Sequence, residues 1–224
     1  MAHSYHEIAF TPRVMALQSK AGSRKGYAAM RERGRYADRL TDRETSFIGQ
    51  RDSFYMASVS ETGWPYVQHR GGPTGFMKVL DEKTLGFADY SGNRQYVSAG
   101  NFLHDDRVSL FFMDYPNRRR LKMLGHVRIV GLDEAEILAQ LEDPDYAVKI
   151  ERGYMITLEG FDWNCPAHIT PRFTEAEVHS AMEELVEENR RLQAALESSS
   201  RNAIPCRDRQ ERPSCSTHDT EQQL

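Results

Sequence analysis

The sequence predicts a mainly β (α+β) protein: an antiparallel barrel with flanking helices and a long C-terminal helix. Short runs of strand composition recur between residues 54 and 158, most of them separated by brief polar turns. Few helical stretches interrupt them, which favours an antiparallel barrel over a doubly wound parallel sheet. Residues 174–197 form an unbroken stretch rich in Glu, Ala, Leu and Arg, the composition of a long helix.

Each element follows from local chemistry. Thr11-Pro12, followed by Val14 and Leu17, reads as a capped helix start with proline at the first helical position. Residues 22–38, rich in charge and glycine, read as an exposed connection. Thr41 and Glu44 form a capping-box pattern before a short helix through Phe47 and Ile48. Residues 54–59 and 64–70 read as a hairpin closed by Glu61-Thr62-Gly63. Strands are predicted at 76–80, 84–88, 108–113, 121–130 and 154–158, with a helical crossover at 97–103 and a helix at 134–141.

Within the C-terminal helix, Val178, Met182, Leu185, Asn189, Leu192 and Leu196 recur at alternating spacings of four and three. That spacing reads as the seam of a short two-stranded coiled coil, with Asn189 at an a position, or as a stripe packed against the chain's own barrel. The expected organisation is an N-terminal segment over 1–39, a barrel domain over 40–172, the helix over 173–197 and a polar, disordered tail over 198–224.

Composition narrows the function classes. The chain has 224 residues, 39% hydrophobic and 28% charged, with a formal net charge of −4. That balance gives no general reason to expect a nucleic-acid partner. No apolar run approaches the roughly 18 residues of a membrane helix, and residues 1–10 lack the regions of a secretory signal. Cys165, Cys206 and Cys215 have neither zinc-type spacing nor an even count. A cytoplasmic protein with no membrane partner and no metal is the expectation.

Four clusters carry candidate chemistry. In Gln68-His69-Arg70-Gly71-Gly72-Pro73, adjacent glycines after a strand admit close approach of a ligand, and Arg70 offers a planar fork of donors. A surface arginine beside a barrel bulge reads equally well there. Asp89-Tyr90-Ser91-Gly92-Asn93-Arg94-Gln95 can form an anion-binding nest ahead of a helix, or an ordinary turn. Asn117-Arg118-Arg119-Arg120 is a solvated loop or a reach toward a ligand across an interface. In the stretch from Gly160 to Ile169, Trp163 can stack on a planar cofactor or sit in the core, and His168 can titrate near neutrality. Cys165 has no base at a fixed spacing, so nucleophilic catalysis is not supported. No GxxxxGK loop, dinucleotide fingerprint or HExxH motif occurs.

Taken in order, the blocks Pro65–Arg70, Leu85–Gln95 and Arg107–Phe112 with Arg120 following resemble the pyridoxamine 5'-phosphate oxidase-like family of flavin-binding split barrels, over approximately residues 40–169. The resemblance implies an antiparallel split β-barrel that binds flavin mononucleotide (FMN) at a homodimer interface. It implies that Arg70 and Arg94 are phosphate-binding arginines, with Asn93 a small polar residue beside them. Gln95 stands where the family oxidase has lysine, and Arg120 where a glutamine approaches the flavin. Asp89 follows the strand whose end lies along the cofactor.

With His69, Gly71 and Trp163 from the clusters above, these residues make up the expected cofactor site. The family's C-terminal substrate motif is replaced by Asp162-Trp163-Asn164-Cys165-Pro166-Ala167-His168, so vitamin B6 oxidation is not implied. The implied activity is an oxidoreductase, oxidase or reductase, transferring hydride through flavin N5 to or from a small molecule, with NAD(P)H a candidate donor. The same fold with deazaflavin or haem, and a non-catalytic flavin-binding sensor, are the alternatives.

Overall fold

In the computed structural model, which describes residues 5–32, 37–163 and 165–202, the chain divides into two units, residues 1–172 and 173–224. The first unit opens with helices α1 (Tyr5–Ala9), α2 (Pro12–Lys20) and α3 (Arg24–Glu32). Thr11 caps α2 as predicted: its hydroxyl accepts the Val14 amide at 3.4 Å, and Pro12 starts the helix. Helix α3 corrects the expected exposed connection over 22–38. Gly22, at φ 78°, ends α2, and Tyr27 then packs edge-on against Phe10 (5.1 Å between ring centroids) and His6 (5.9 Å). Tertiary contact by one aromatic side chain thus outweighs a charge-rich composition.

Helix α4 (Asp42–Gly49) begins where the capping pattern placed it. Glu44 accepts from the Thr41 amide at 3.2 Å and the Thr41 hydroxyl at 2.5 Å. The sheet follows: β1 (Ser53–Val59), β2 (Pro65–Gly71), β3 (Lys78–Val79), β4 (Thr84–Tyr90), helix α5 (Val97–His104), β5 (Arg107–Asp114), β6 (Arg119–Val130), helix α6 (Ala135–Leu141) and β7 (Ile150–Trp163). Among the described residues seven strands form one antiparallel sheet in the order β2-β1-β5-β6-β7-β4-β3.

Two expected strands differ in extent. The strand at 76–80 shrinks to the two residues of β3, because Phe76 and Met77 turn into the core instead of continuing the ladder. Strand β7 is fourteen residues long where only 154–158 was expected. Its N-terminal part carries Glu151, Arg152 and Gly153, which lack strand composition, yet it pairs with β4 along one edge and β6 along the other.

The sheet is rolled. Phe54 on β1 and Phe87 on β4 are four strand steps apart, about 19 Å on a flat sheet with ~4.8 Å spacing, yet their ring centroids are 5.2 Å apart. Phe112 and Tyr154 complete the aromatic centre of the core. The result is the expected split barrel, whose outer strands β2 and β3 are not paired with each other.

The second unit contains helix α7 (Glu175–Asn202), which runs five residues past the expected end at Glu197. Its predicted seam residues Val178, Met182, Leu185, Leu192 and Leu196 are all exposed. The expected tail beyond residue 202, with Cys206 and Cys215, lies outside the described residues. Among the described residues no helix is long and apolar enough to cross a membrane.

Rolling the sheet requires a break in the β6–β7 ladder, and the register shifts between Leu124 and Gly125. A β-carbon at Gly125 would collide with the Thr157 carbonyl oxygen across the bulge. Replacing Gly125 with valine forces the two strands apart. The expected cost is about 1–3 kcal/mol, read as a lower Tm in a thermal melt, with no change in the oligomeric state of the folded fraction.

Candidate functional site

The split in the barrel holds a cluster of ionised side chains. Strand alternation along β2 puts Gln68 and Arg70 on one face and Val67, His69 and Gly71 on the other. From this inner face Arg70 reaches across to β4, where its Nη1 donates to Asp89 Oδ1 at 2.6 Å. Arg152 stands directly opposite Asp89 in the β4–β7 register, with its Nε 3.2 Å from Asp89 Oδ2. The Arg70 guanidinium also lies 5.5 Å from the Tyr154 ring centroid and 5.8 Å from that of Phe87.

Burial pushes the Asp89 carboxyl above its ordinary range, against the pull of Arg70 and Arg152. A guanidinium on each oxygen opposes that shift. Burial, reinforced by the charge of Asp89, raises the Tyr154 hydroxyl to about 12. The buried Tyr154 hydroxyl faces Asp89 and Arg70, and Arg70 Nε is buried and has no hydrogen-bond partner among the described residues. Orphaned donors of this kind mark a place where a further acceptor fits.

The loop from β4 to α5 forms the opposite wall. Asn93 Oδ1 accepts the Gln95 amide at 3.2 Å, a local turn that fixes the chain between Gly92 and Tyr96. Arg94 (φ 58°) and Tyr96 (φ 54°) both hold left-handed backbone, an arrangement that costs energy for residues with a β-carbon. Tyr96 precedes α5 without a side-chain capping bond, so the first-turn amides of the helix face the cleft uncapped. Ser98 in that turn donates instead to Gln68 Oε1 at 2.9 Å. The cleft measures ≈ 220 Å³ and is lined by Gln68, Arg70, Asp89, Asn93, Arg94, Gln95, Tyr96, Ser98, Glu151 and Tyr154, among others.

Of the residues expected at a cofactor site, Arg70, Asp89, Asn93, Arg94 and Gln95 converge on this cleft. Four do not line it. His69 and Gly71 fall on the outer face of β2 because side chains alternate, and His69 packs edge-on against Tyr55 at 5.6 Å. Arg120 lines a second cleft of ≈ 600 Å³ with Tyr55, Val67, Phe111, Met113, Tyr115, His168 and Arg172, and its Nη2 donates to the Cys165 carbonyl at 3.2 Å.

Trp163 lines neither cleft. Its indole stacks edge-on against buried Phe47 at 4.7 Å and donates to Glu44 Oε1 at 2.7 Å, under the Arg43 guanidinium. The cleft residues Tyr96, Glu151 and Tyr154 went unread in the sequence, as did Arg152, which pairs with Asp89 and Glu151. Their signal was available only in register, since Arg152 opposes Asp89 once β7 is known to begin at Ile150. Among the described residues no group of three or more His, Cys, Asp or Glu could hold a metal ion.

With this geometry in place, comparison with known proteins is informative at the level of family. The sequence model described as pyridoxamine 5'-phosphate oxidase matches residues 40–152, half of the chain. No protein of curated function matches. Among solved structures, HupZ of Group A Streptococcus is similar at 17% identity, covering 55% of this chain and 91% of that one, with a TM-score of 0.42. A Clostridium acetobutylicum protein related to general stress protein 26, of the pyridoxinephosphate oxidase family, is 16% identical over 61% of this chain and 94% of that one, with a TM-score of 0.38. An FMN-binding protein from Syntrophomonas wolfei subsp. wolfei is 12% identical over 66% and 97%, with a TM-score of 0.41.

The position of Trp163 makes it a support of the fold. Trp163→Leu is expected to lower stability by about 2–4 kcal/mol, from lost packing on Phe47 and an unpaired buried acceptor, and to leave ligand affinity at the cleft unchanged. Burial works against the charge of Glu44, but the Thr41 hydroxyl, the Trp163 indole and the Thr41 amide hold its carboxyl below the ordinary value of 4.5. A lowered folded-state value means this contribution to stability is present above 4.5 and is lost as pH falls below it. Chemical denaturation of wild type and Glu44→Gln at a series of pH values checks this, and the gap between them should close in that acidic window.

Proposed function

The chain belongs to the pyridoxamine 5'-phosphate oxidase family, and we propose that its arginine-lined cleft seats the phosphate of FMN in a flavin-dependent oxidoreductase. The observation that carries this reading is the donor set: Arg70 and Arg94 beside the uncapped N-terminus of α5, with Arg70 Nε buried and unpartnered among the described residues. Paired guanidiniums and helix amides are the groups that hold a phosphate dianion. The donor set therefore fits the group the family implies. Asn93 and Gln95 add neutral donors for the ribityl hydroxyls.

The cleft, at ≈ 220 Å³, is smaller than the ~300–1,000 Å³ that buries a whole ligand of this size. One chain thus offers a seat for the phosphate end, and the flavin ring needs a further wall. We assign that wall to a second copy of the chain. The outer sheet face with Tyr55, Val67, Phe111 and Met113 around the ≈ 600 Å³ cleft is apolar and open, and suits a two-fold interface. Arg120, which lines that face, then approaches the cofactor from the interface side.

Bound FMN supplies hydride chemistry at N5, with a small molecule or NAD(P)H as the partner in electron transfer. The chain's own part is to bind the phosphate, orient the ring and exclude water. None of its side chains is assigned as a proton donor or acceptor in the reaction.

Arg94→Ala is expected to weaken FMN about ten- to a hundredfold, the worth of one charge-assisted contact, while riboflavin, which lacks the phosphate, changes little. Fluorescence titration of both ligands reads this. Equal weakening of the two removes Arg94 from the phosphate, and a purified protein that takes up no flavin sinks the reading as a whole. The interface is checked separately: Phe111→Lys is expected to give a monomer in sedimentation velocity and to lose FMN affinity along with the dimer.

A further inference from the structure

Two cleft residues, Asp89 and Glu151, have the wrong sign for a phosphate seat. Glu151 sits on β7 with its side chain 13% exposed. Its Oε1 accepts from Ser91 Oγ at 3.1 Å and from the Tyr96 hydroxyl at 3.4 Å, and lies 3.6 Å from Arg94 Nε. Its Oε2 accepts from Arg152 Nη2 at 3.1 Å. Three of these four donors, from Ser91, Arg94 and Tyr96, belong to the loop that forms one wall of the cleft. Hydroxyls and guanidiniums converging on one anion are the donors a phosphate would use.

Asp89 is different. It is held between Arg70 and Arg152 across the split and touches no part of the β4–α5 loop in these contacts. Asp89 is a fixture of the barrel, whereas Glu151 engages the ligand-binding loop itself. Burial opposes the charge on Glu151, but the Ser91 hydroxyl, Arg152 and the Tyr96 hydroxyl hold its carboxyl below the ordinary range, so it is an anion at neutral pH.

We propose that Glu151 is an internal counter-anion that latches the β4–α5 loop, and that a phosphate dianion must displace it from Ser91, Arg94 and Tyr96 to bind. The inference rests on the reading of the cleft as a phosphate seat. Its consequence is selectivity. A monoanion gains from these donors about what Glu151 loses, so exchange is nearly balanced. A dianionic phosphate monoester interacts more strongly with the same guanidiniums and drives the exchange. Glu151 thereby rejects uncharged and singly charged ligands, and the loop closes on the phosphate through the donors it released.

Inorganic phosphate is the probe. It is titrated into the full-length protein and into Glu151→Gln, with binding followed by the backbone amide resonances of residues 91–96. Glutamine keeps the shape and can still accept from Ser91 and Tyr96, but carries no charge. The expected result is about three- to tenfold tighter phosphate binding in Glu151→Gln, the scale of losing one partly exposed competing ion pair. Glu151→Ala removes the carboxylate and leaves every loop donor in place, so it shifts affinity in the same direction.

Unchanged or weaker phosphate binding in Glu151→Gln overturns the proposal, because the carboxylate would then be positioning Arg94 and Arg152 for the ligand. If that variant does not fold, Glu151→Ala decides by the same criterion. FMN is titrated in parallel. Tighter phosphate binding with no FMN binding in either protein sinks the cofactor and leaves the latch. FMN binding without a gain for phosphate sinks the latch and leaves the cofactor.

Discussion

The bridge from Arg70 through Asp89 to Arg152 is the constraint on which the rest of the structure depends. It joins β2, at one end of the sheet order, to β4 and β7 near the other, across the gap that backbone hydrogen bonds leave open. All three side chains are largely withdrawn from water. Removing one member of such a buried ion group leaves the others uncompensated, at a cost of about 3–5 kcal/mol. A hydrophobic replacement of the whole group could hold the barrel equally well. What the bridge adds is arginine donors at the mouth of the split, with Arg70 Nε buried and unpartnered among the described residues.

The electrostatics of the cleft follow from this bridge. Three arginines, Arg70, Arg94 and Arg152, face two carboxylates, Asp89 and Glu151. The positive excess is small, so the cleft is not a general anion trap. Its shape is set by left-handed backbone at Arg94 and Tyr96 and the uncapped turn of α5. Strain of about 1–3 kcal/mol at each such residue persists only where the surroundings fix it. Here the Asn93 turn and the contacts to Glu151 supply that fixing.

Much of the fold was legible because it is written in local chemistry. The caps at Thr11 and Thr41, the hairpin between β1 and β2, and the crossover helix α5 depend on neighbours a few residues away. Helix α3 was not legible, since it depends on Tyr27 meeting Phe10. Nor was the start of β7, where Glu151 and Arg152 look like loop residues and become strand residues only by pairing with β4 and β6.

The same division applies to the site. The sequence by itself determined that the turn after β4 is a polar nest bearing Arg94, and that Arg70 ends a strand ahead of two glycines, because backbone permissiveness and side-chain type are local properties. Only the tertiary structure decided which of these groups meet. It turned His69 away by strand alternation, gave Trp163 to Phe47 and Glu44, and moved Arg120 to a separate face. It also brought Glu151 and Arg152 to the nest from a strand some sixty residues on. The physical reason is that the cleft is made by the rolling of the sheet, a long-range event set by core packing and the Gly125 bulge, and no short stretch of sequence specifies which strand ends face each other across it.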